Sequence, residues 1–298
     1  MLPRRQQQAE QGGEDTQNDN IEEQPYRRQA LARHCILGQG QIIFKCQRGL
    51  RMSREMVTEI CRILQHELQL LDFGGNHMPV ALKVTAALNF FYSCTFQRSM
   101  RDICGISQSA THRCIKEVTN VLFRHANDFI YLPVDQGRQA ARSAAFGTIA
   151  GFLRVLGVID HSWPLELCGP AVFVFVNRKD FHSLNVQLVC DHRRRMMHVC
   201  VHCPGTCHDS YILRNSQLPA VFKEPAEVDK WILGDKGYPL CTCLMTPMVH
   251  PQSPAEERYN AAYASTRVIT EHTIGILKMK SLCLNQSGGA LQYAPQRV

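Results

Sequence analysis

The chain has 298 residues and a formal net charge of +7, with 45% hydrophobic and 20% charged residues. This composition is that of a folded chain long enough for two domains, so disorder of the whole chain is excluded. No apolar run reaches the roughly 18 residues that span a bilayer, and residues 1–20 lack the apolar core of a signal peptide, so we expect a soluble, intracellular protein. The fourteen cysteines stand mostly among apolar neighbours, which is typical of reduced core thiols.

The N-terminal residues 1–28 are rich in Gln, Glu, Asn and Gly and poor in apolar residues, which predicts a disordered polar tail. Residues 1–26 contain six acidic and two basic side chains, so the positive surplus lies in the rest of the chain. Such a surplus favours a polyanionic partner such as DNA, although it also serves ordinary solubility.

Residues 29–135 have the pattern of a helical region. Segment 53–72 is predicted to be an amphipathic helix, and segment 80–96 a second, more buried one. The predicted apolar stripe of the first helix consists of Met56, Ile60, Leu64, Leu68 and Leu71.

Segment 99–125 predicts a helix-turn-helix. A short helix begins at Ser99, Gly105 suits a tight turn with positive φ, and Ser107 or Ser109 caps a longer helix. In such a motif the start of the second helix faces the major groove of DNA. The candidate DNA-contacting residues are Gln108, Ser109, Thr111, His112, Arg113 and Lys116. The alternative is an ordinary helical hairpin with a solvated face.

Residues 150–298 have the pattern of an α/β domain. Strands are predicted at 152–160, 172–177, 184–191, 196–203 and 231–235, with the third and fourth close enough for an antiparallel hairpin. A helix is expected to start near Asp209, and another to span 264–280. The fold class is therefore α+β, with a helical region before an α/β domain.

Two of these strands end on an aspartate, Asp160 and Asp235. The helix 264–280 carries Glu271 on one face with Arg267 and Lys278, beside the small Gly275. Carboxylates at strand ends and on a helix packed across them can converge and hold hard divalent cations, which favours phosphodiester chemistry. The alternatives are that the aspartates only form turns and that the helix carries a solvated ion-pair ladder.

Several motifs in chain order, from about residue 80 to the C-terminus, carry a family resemblance. They are "GVID", "VNRKDFHSLNVQLVCD", "PGTCHDSYIL", "ILGDKGYPL", "LMTP", "SPAEERYN" and "RVITEHTIGILK", followed by "SGGALQYAPQRV". Together they resemble the Harbinger transposase-derived nucleases of the PIF/Harbinger superfamily.

The resemblance implies an RNase H-like catalytic domain of the DDE type over residues 150–298 and a helical DNA-binding region before it. It also implies nuclease activity on DNA with Mg²⁺ or Mn²⁺, a separate Myb-like DNA-binding partner, and a location in nucleus and cytoplasm. The matching acidic residues are Asp160, Asp235 and Glu271, as the catalytic core, and Asp209, as an additional metal ligand.

The chain departs from the family pattern at a few positions. His161-Ser162-Trp163 stands where the family has Cys-Thr-His, and His272 stands where an arginine usually follows the glutamate. Relatives also continue into another apolar helix after the position of "YAPQRV", so that helix is expected to be missing here.

Three readings stay open. Arg178, Lys179 and Arg193 to Arg195 could bind phosphates near the site, although the three arginines could equally be a solvated hairpin tip. The Cys and His residues of "VCVHCPGTCHDS" could hold a structural zinc ion. The chain could also be a domesticated DNA-binding protein that keeps the fold without turnover, since retained ligands do not establish catalysis.

Overall fold

The computed structural model describes residues 52–71, 77–93, 105–133, 135–161, 175, 183–221 and 230–284. The predicted tail 1–28, the first helix of the helix-turn-helix at 99–104, nearly all of strand 172–177 and the last residues 285–298 lie outside this part of the chain.

Five helices of the described ranges precede the first described strand, and the first four lie within the predicted helical region. These four are α1 (Arg54–Leu70), α2 (Val80–Ser93), α3 (Gln108–Arg124) and the single-turn α4 (Ala126–Phe129). The side chains of Ser53 and Ser107 cap α1 and α3, as predicted for Ser107. Gly105 has a φ of 70°, which agrees with the predicted turn.

The predicted apolar stripe of α1 is confirmed in its middle and wrong at its ends. Leu64 and Leu68 are buried as predicted, whereas Met56 is 51% and Leu71 38% exposed, and the helix buries Val57 in place of Met56. The helix α5 (Gln136–Ala150) was not predicted at all. Its caps were visible in the sequence, because Asp135 accepts a hydrogen bond from the Arg138 backbone and Gly151 ends the helix with a φ of 71°.

A five-stranded mixed sheet forms the centre of the rest of the chain. The strands are β1 (Val155–His161), β2 (Leu184–Cys190), β3 (Met196–Pro204), β4 (Trp231–Leu233) and β5 (Leu244–Met245), in the order β3-β2-β1-β4-β5. The predicted β2–β3 hairpin is antiparallel, β1 pairs antiparallel with β2, and β4 is parallel to both β1 and β5.

Three further helices and a 3-10 turn complete the described chain. They are α6 (Asp209–Asn215), α7 (Leu218–Val221), the long α8 (Pro254–Lys280) and the turn Leu282–Leu284. Helix α8 begins ten residues before the predicted start, at a Ser253 cap followed by proline. No helix of the described ranges is both long and apolar enough to cross a membrane.

The helical region and the sheet share one hydrophobic core. Leu64 and Leu68 of α1, Val118 of α3, Leu188 of β2 and Ile274 of α8 belong to the same buried cluster. A second, smaller cluster joins the helices alone, around residues Val57, Leu82, Ala86, Ile106 and Cys114. The helices therefore pack on one face of the sheet as well as on each other. Helix α8 lies along this face, where it also packs against β1.

Candidate active site

The ends of three strands bring aspartates to one edge of the sheet. Strands β1, β3 and β4 run in the same direction, so their carboxyl ends lie together. Asp160 is the penultimate residue of β1, Asp235 follows β4 by two residues, and Asp209 begins α6 after the turn that leaves β3. The sequence prediction for the end of β1 and of β4, and for the helix start at Asp209, is confirmed.

The turn after β4 brings Asp235 next to Asp209. The Asp235 carboxylate accepts a hydrogen bond from the Gly237 backbone N–H at 2.8 Å, which closes the turn. A Cβ atom on Gly237 would lie 3.0 Å from Asp235 Oδ1 and would collide with the Asp209 carboxylate. Two carboxylates therefore flank the same small space, and a glycine leaves that space open.

The Tyr238 hydroxyl lies within the field of three carboxylates. Burial raises the pKa of Tyr238, and the charges of Asp209, Asp160 and Asp235 raise it further against a hydrogen bond from Gln187. The Gln187 side chain is fully buried, and its Oε1 has no hydrogen-bond partner. The edge of the sheet thus combines convergent negative charge with an unsatisfied buried acceptor.

Arg267 of α8 connects Asp160 to Glu271. Its Nη2 lies 3.1 Å from Asp160 Oδ2, and its Nη1 lies 3.1 Å from Glu271 Oε1. Asp160 is almost buried, whereas the Glu271 side chain is 54% exposed. One face of α8 therefore brings the fourth predicted acid to the same site, although an arginine stands between it and Asp160.

Lys278 lies further along the same face of α8. Burial lowers its pKa, while the negative charge of Asp160 raises it. Between Glu271 and Lys278, a Cβ on Gly275 would meet nothing within 4 Å, so the helix faces open space here.

The donor set suits a hard divalent cation. Such ions prefer carboxylate and carbonyl oxygens, and Asp160, Asp209 and Asp235 supply them at one sheet edge with space at Gly237. Within the described ranges, no three His, Cys, Asp or Glu side chains are already arranged as ligands around one point. These carboxylates are therefore suitable ligands for the Mg²⁺ or Mn²⁺ that the sequence predicts. In this structure, however, Asp160 and Glu271 are paired with Arg267.

The predicted DNA-contacting residues lie on α3. Gln108, Ser109, His112, Arg113 and Lys116 are all exposed. They form a polar face that includes two basic side chains in the first three turns of the helix.

Thr111 does not belong to this exposed face. It is fully buried, and its hydroxyl donates a hydrogen bond to the carbonyl of Ser107. The prediction that Thr111 contacts DNA was therefore wrong, because its position on the helix points into the core cluster of the helical region.

The arginine-rich hairpin tip lies far from the acids. Asp160 pairs with Leu188, and β2 runs away from the site as far as Cys190, after which the turn carries Arg193. The buried Asp191 accepts hydrogen bonds from the backbone of Arg193 and from Arg195, so it orders the tip. The geometry favours a structural hairpin tip over phosphate binding at the site. Arg178 and Lys179 lie outside the described residues.

The cysteines that suggested zinc do not form a metal-binding group among the described residues. Burial, helped by the neighbouring Cys207 and Cys200, raises the pKa of the Cys203 thiol to about 11. The Cys203 thiol therefore stays protonated at neutral pH, whereas a zinc ligand has to be a thiolate.

Sequence reasoning missed the contacts that join the acids. Arg267 was placed on the same helix face as Glu271, but its pairing with Asp160 depends on how α8 crosses β1. The approach of Asp209 to Gly237 likewise depends on two separate loops. The sequence signal available was the spacing of Arg267 and Glu271, four residues apart on a predicted helix.

A mixed sheet with acids at its carboxyl edge and a further acid on a crossing helix is the arrangement expected of a DDE endonuclease. The family model described as DDE superfamily endonuclease matches residues 170–298, which include Asp209, Asp235 and Glu271. No solved structure matches the chain.

Curated relatives extend the likeness over most of the chain. The human protein named "Putative nuclease HARBI1" is 40% identical over 246 residues, which cover 82% of this chain and 70% of the human protein. The Bos taurus protein of the same name is 39% identical over 245 residues, with the same coverage. A more distant relative, "Protein ALP1-like" of Arabidopsis thaliana, is 22% identical over 259 residues, or 79% of this chain and 63% of that protein. The chain belongs to the family of Harbinger transposase-derived nucleases with a DDE superfamily endonuclease domain.

Proposed function

We propose that this protein is a divalent-metal-dependent nuclease that hydrolyses DNA phosphodiester bonds. The observation that carries the proposal is the placement of Asp160, Asp209 and Asp235 at the carboxyl end of one sheet, with Glu271 joined to Asp160 through Arg267. Family membership supports the same reaction class, because its relatives are named as nucleases.

The strand order supports an RNase H-like fold for this domain. The antiparallel β3-β2-β1 meander continues into β4 and β5, which are parallel to β1. Placing acids at the carboxyl ends of β1 and β4 gives them rigid backbone support, which a metal-dependent reaction needs.

Four carboxylates would hold Mg²⁺ or Mn²⁺, those of Asp160, Asp209, Asp235 and Glu271. The bound cations would supply an activated water and stabilise the departing phosphate-ester oxygen. The Asp235 turn fixes its carboxylate through the Gly237 N–H, and Lys278 adds a positive charge near Asp160.

Cleavage of labelled duplex DNA, measured against Mg²⁺ or Mn²⁺ concentration, tests this function. Asp235→Asn keeps the size of the side chain but removes a charge, so we expect a loss of cleavage of at least a hundredfold with an unchanged melting temperature. Glu257→Gln removes an exposed charge in the first turn of α8 and is the control, expected to cleave like the wild type. Wild-type rates for Asp235→Asn would refute the proposal.

The exposed face of α3 gives a second candidate role, which is DNA binding with or without cleavage. Gln108, Ser109, His112, Arg113 and Lys116 carry hydrogen-bonding and basic groups on one surface. Tight DNA binding without nicking at any cation concentration would identify a DNA-binding protein without turnover. We also propose, from the family, a nuclear and cytoplasmic location and a Myb-like partner protein.

The salt dependence of DNA affinity tests the α3 face. Each lysine or arginine that contacts a phosphate adds about 0.9 to the slope of log K against log salt. Arg113→Ala with Lys116→Ala should therefore lower the slope by about 2. The control pair is Arg138→Ala with Arg258→Ala, two exposed arginines on other helices. An equal fall in slope for both pairs would mean that α3 has no special role.

A further inference from the structure

The partly buried Arg267 makes an unusual pair of contacts. Each terminal nitrogen touches one oxygen of a different carboxylate, Asp160 on β1 and Glu271 on α8, at 3.1 Å. Only 24% of the Arg267 side chain is exposed. The guanidinium therefore connects the sheet edge to the helix at the centre of the candidate site.

The hydrogen bonding of this guanidinium is incomplete. Its Nε is buried and has no hydrogen-bond partner. A structural arginine pair usually places two parallel N–H groups on one carboxylate, which is the strong, bidentate form. Here each carboxylate receives a single contact from Arg267. Each pairing is therefore weaker than a bidentate one, and less free energy is needed to replace Arg267 by another cation.

The local charge explains why a cation is needed at this point. Asp160 and Asp209 are almost buried, and Asp235 lies beside them. Like charges this close in a partly desolvated site repel each other, and a buried carboxylate without a positive partner is costly. Arg267 supplies that partner for Asp160, with Lys278 as the further positive charge whose field reaches it.

The same two carboxylates cannot serve Arg267 and a divalent cation fully at once. Mg²⁺ requires its oxygen ligands at about 2.1 Å, which brings ligand oxygens within roughly 3 Å of each other. With the guanidinium between them, Asp160 and Glu271 are held on opposite sides of a positive group. A second cation in this space would also be repelled by Arg267.

We propose that Arg267 is a built-in counter-cation that competes with the divalent cation for Asp160 and Glu271. In the ion-free protein Arg267 neutralises these acids and joins β1 to α8, and it leaves them when they become ligands. The affinity for divalent cations is then set partly by the energy needed to release Arg267. This inference rests on the proposed metal-dependent function and adds to it the residue that limits cation binding.

Calorimetric titration of Mn²⁺ into the full chain without DNA tests the competition directly. Arg267→Gln removes the competing charge, so we expect Mn²⁺ to bind at least fivefold more tightly than to the wild type. Arg267→Lys keeps the charge but reaches one carboxylate at a time, so an intermediate affinity is expected. The matched control is Arg258→Gln on the same helix, about 13 Å away along the axis, where the same charge change should leave the affinity unchanged.

Melting temperatures on the same samples give an independent readout. Without Mn²⁺, Arg267→Gln should melt below the wild type because the ion pair between Arg267 and Asp160 is lost, and saturating Mn²⁺ should remove the difference. If Arg267→Gln does not fold, Arg267→Lys decides the matter by its affinity. Equal or weaker Mn²⁺ binding in the folded variants would overturn the competition while leaving the metal site intact. A wild type and variants that all fail to bind Mn²⁺ would overturn the metal-dependent function together with this inference.

Discussion

Gly237 shows how one missing side chain shapes the candidate site. Its N–H holds Asp235, and its Cα faces the carboxylate of Asp209. Any side chain at this position would have to displace Asp209 or open the Asp235 turn. The closeness of these two acids therefore depends on a glycine that carries no chemical group of its own.

We predict that Gly237→Ala weakens Mn²⁺ binding at least tenfold, because the new methyl group displaces the Asp209 carboxylate. Calorimetric titration measures this, with the melting temperature as a check on folding. The control is Gly275→Ala on α8, where a Cβ meets nothing within 4 Å. That change should preserve Mn²⁺ binding and stabilise the helix by about 1 kcal/mol. Equal binding by the wild type and Gly237→Ala would contradict the prediction.

At the scale of single helices and strands, the agreement between sequence and structure follows the strength of the local signals. Helices α1 and α3 begin at the serines that cap them, and the β2–β3 hairpin has its predicted antiparallel pairing. Helix α5 was missed because its apolar residues are mostly alanines, which give a weak periodic pattern. The two-residue strand β5 was also missed, because it is defined by its pairing with β4 and two residues show no pattern in the sequence.

The contacts between elements could not be read from the sequence in the same way. The acids at strand ends were predicted from local patterns, since a strand followed by a carboxylate and a turn is visible in one segment. The Arg267–Asp160 contact joins residues 107 positions apart. Such a pairing depends on how the whole sheet and α8 pack, which periodicity along the chain does not specify.

His125 makes contacts of this kind between helices, and these contacts predict that the stability of the protein depends on pH. Its Nε2 lies 2.7 Å from Glu67 of α1, and its Nδ1 lies 3.0 Å from Asp128 of α4. The hydrogen bond with Asp128 raises the pKa of His125, and that with Glu67 raises it further. The stabilising effect is therefore complete below the unfolded pKa of about 6.5 and is lost as pH rises through the folded value.

We predict that His125→Gln destabilises the protein most below pH 6 and that the difference from the wild type shrinks above pH 8. Urea unfolding at a series of pH values measures this difference. His66→Gln, at an exposed position on α1, is the control and should leave the pH dependence unchanged. A difference for His125→Gln that grew with pH would mean that the imidazole is not stabilised in its charged form.

At the scale of the whole molecule, the division into a helical region and a nuclease domain does not coincide with separate cores. Leu184, Val186 and Leu188 of β2 lie in one cluster with residues of α1, α2 and α3. The buried Lys83 of α2 adds a polar link within the helices, since it bonds the Leu68 carbonyl and lies 2.9 Å from Glu117. Shared burial couples the candidate DNA-binding face to the sheet that carries the acids.

We predict that the helical region and the sheet unfold in one cooperative transition. Helical circular dichroism and Trp231 fluorescence, the latter recorded in a Trp163→Phe background, should give the same midpoint in urea, because neither part buries its apolar face alone. Leu188→Ala truncates a side chain that is 1% exposed in the shared cluster. It should lower the free energy of unfolding by about 2 to 5 kcal/mol and shift both midpoints together to lower urea concentrations. The control Leu70→Ala, on the exposed side of α1, should cost less than about 0.5 kcal/mol. Two separate midpoints, or a shift of only one of them, would mean that the helices fold independently of the sheet.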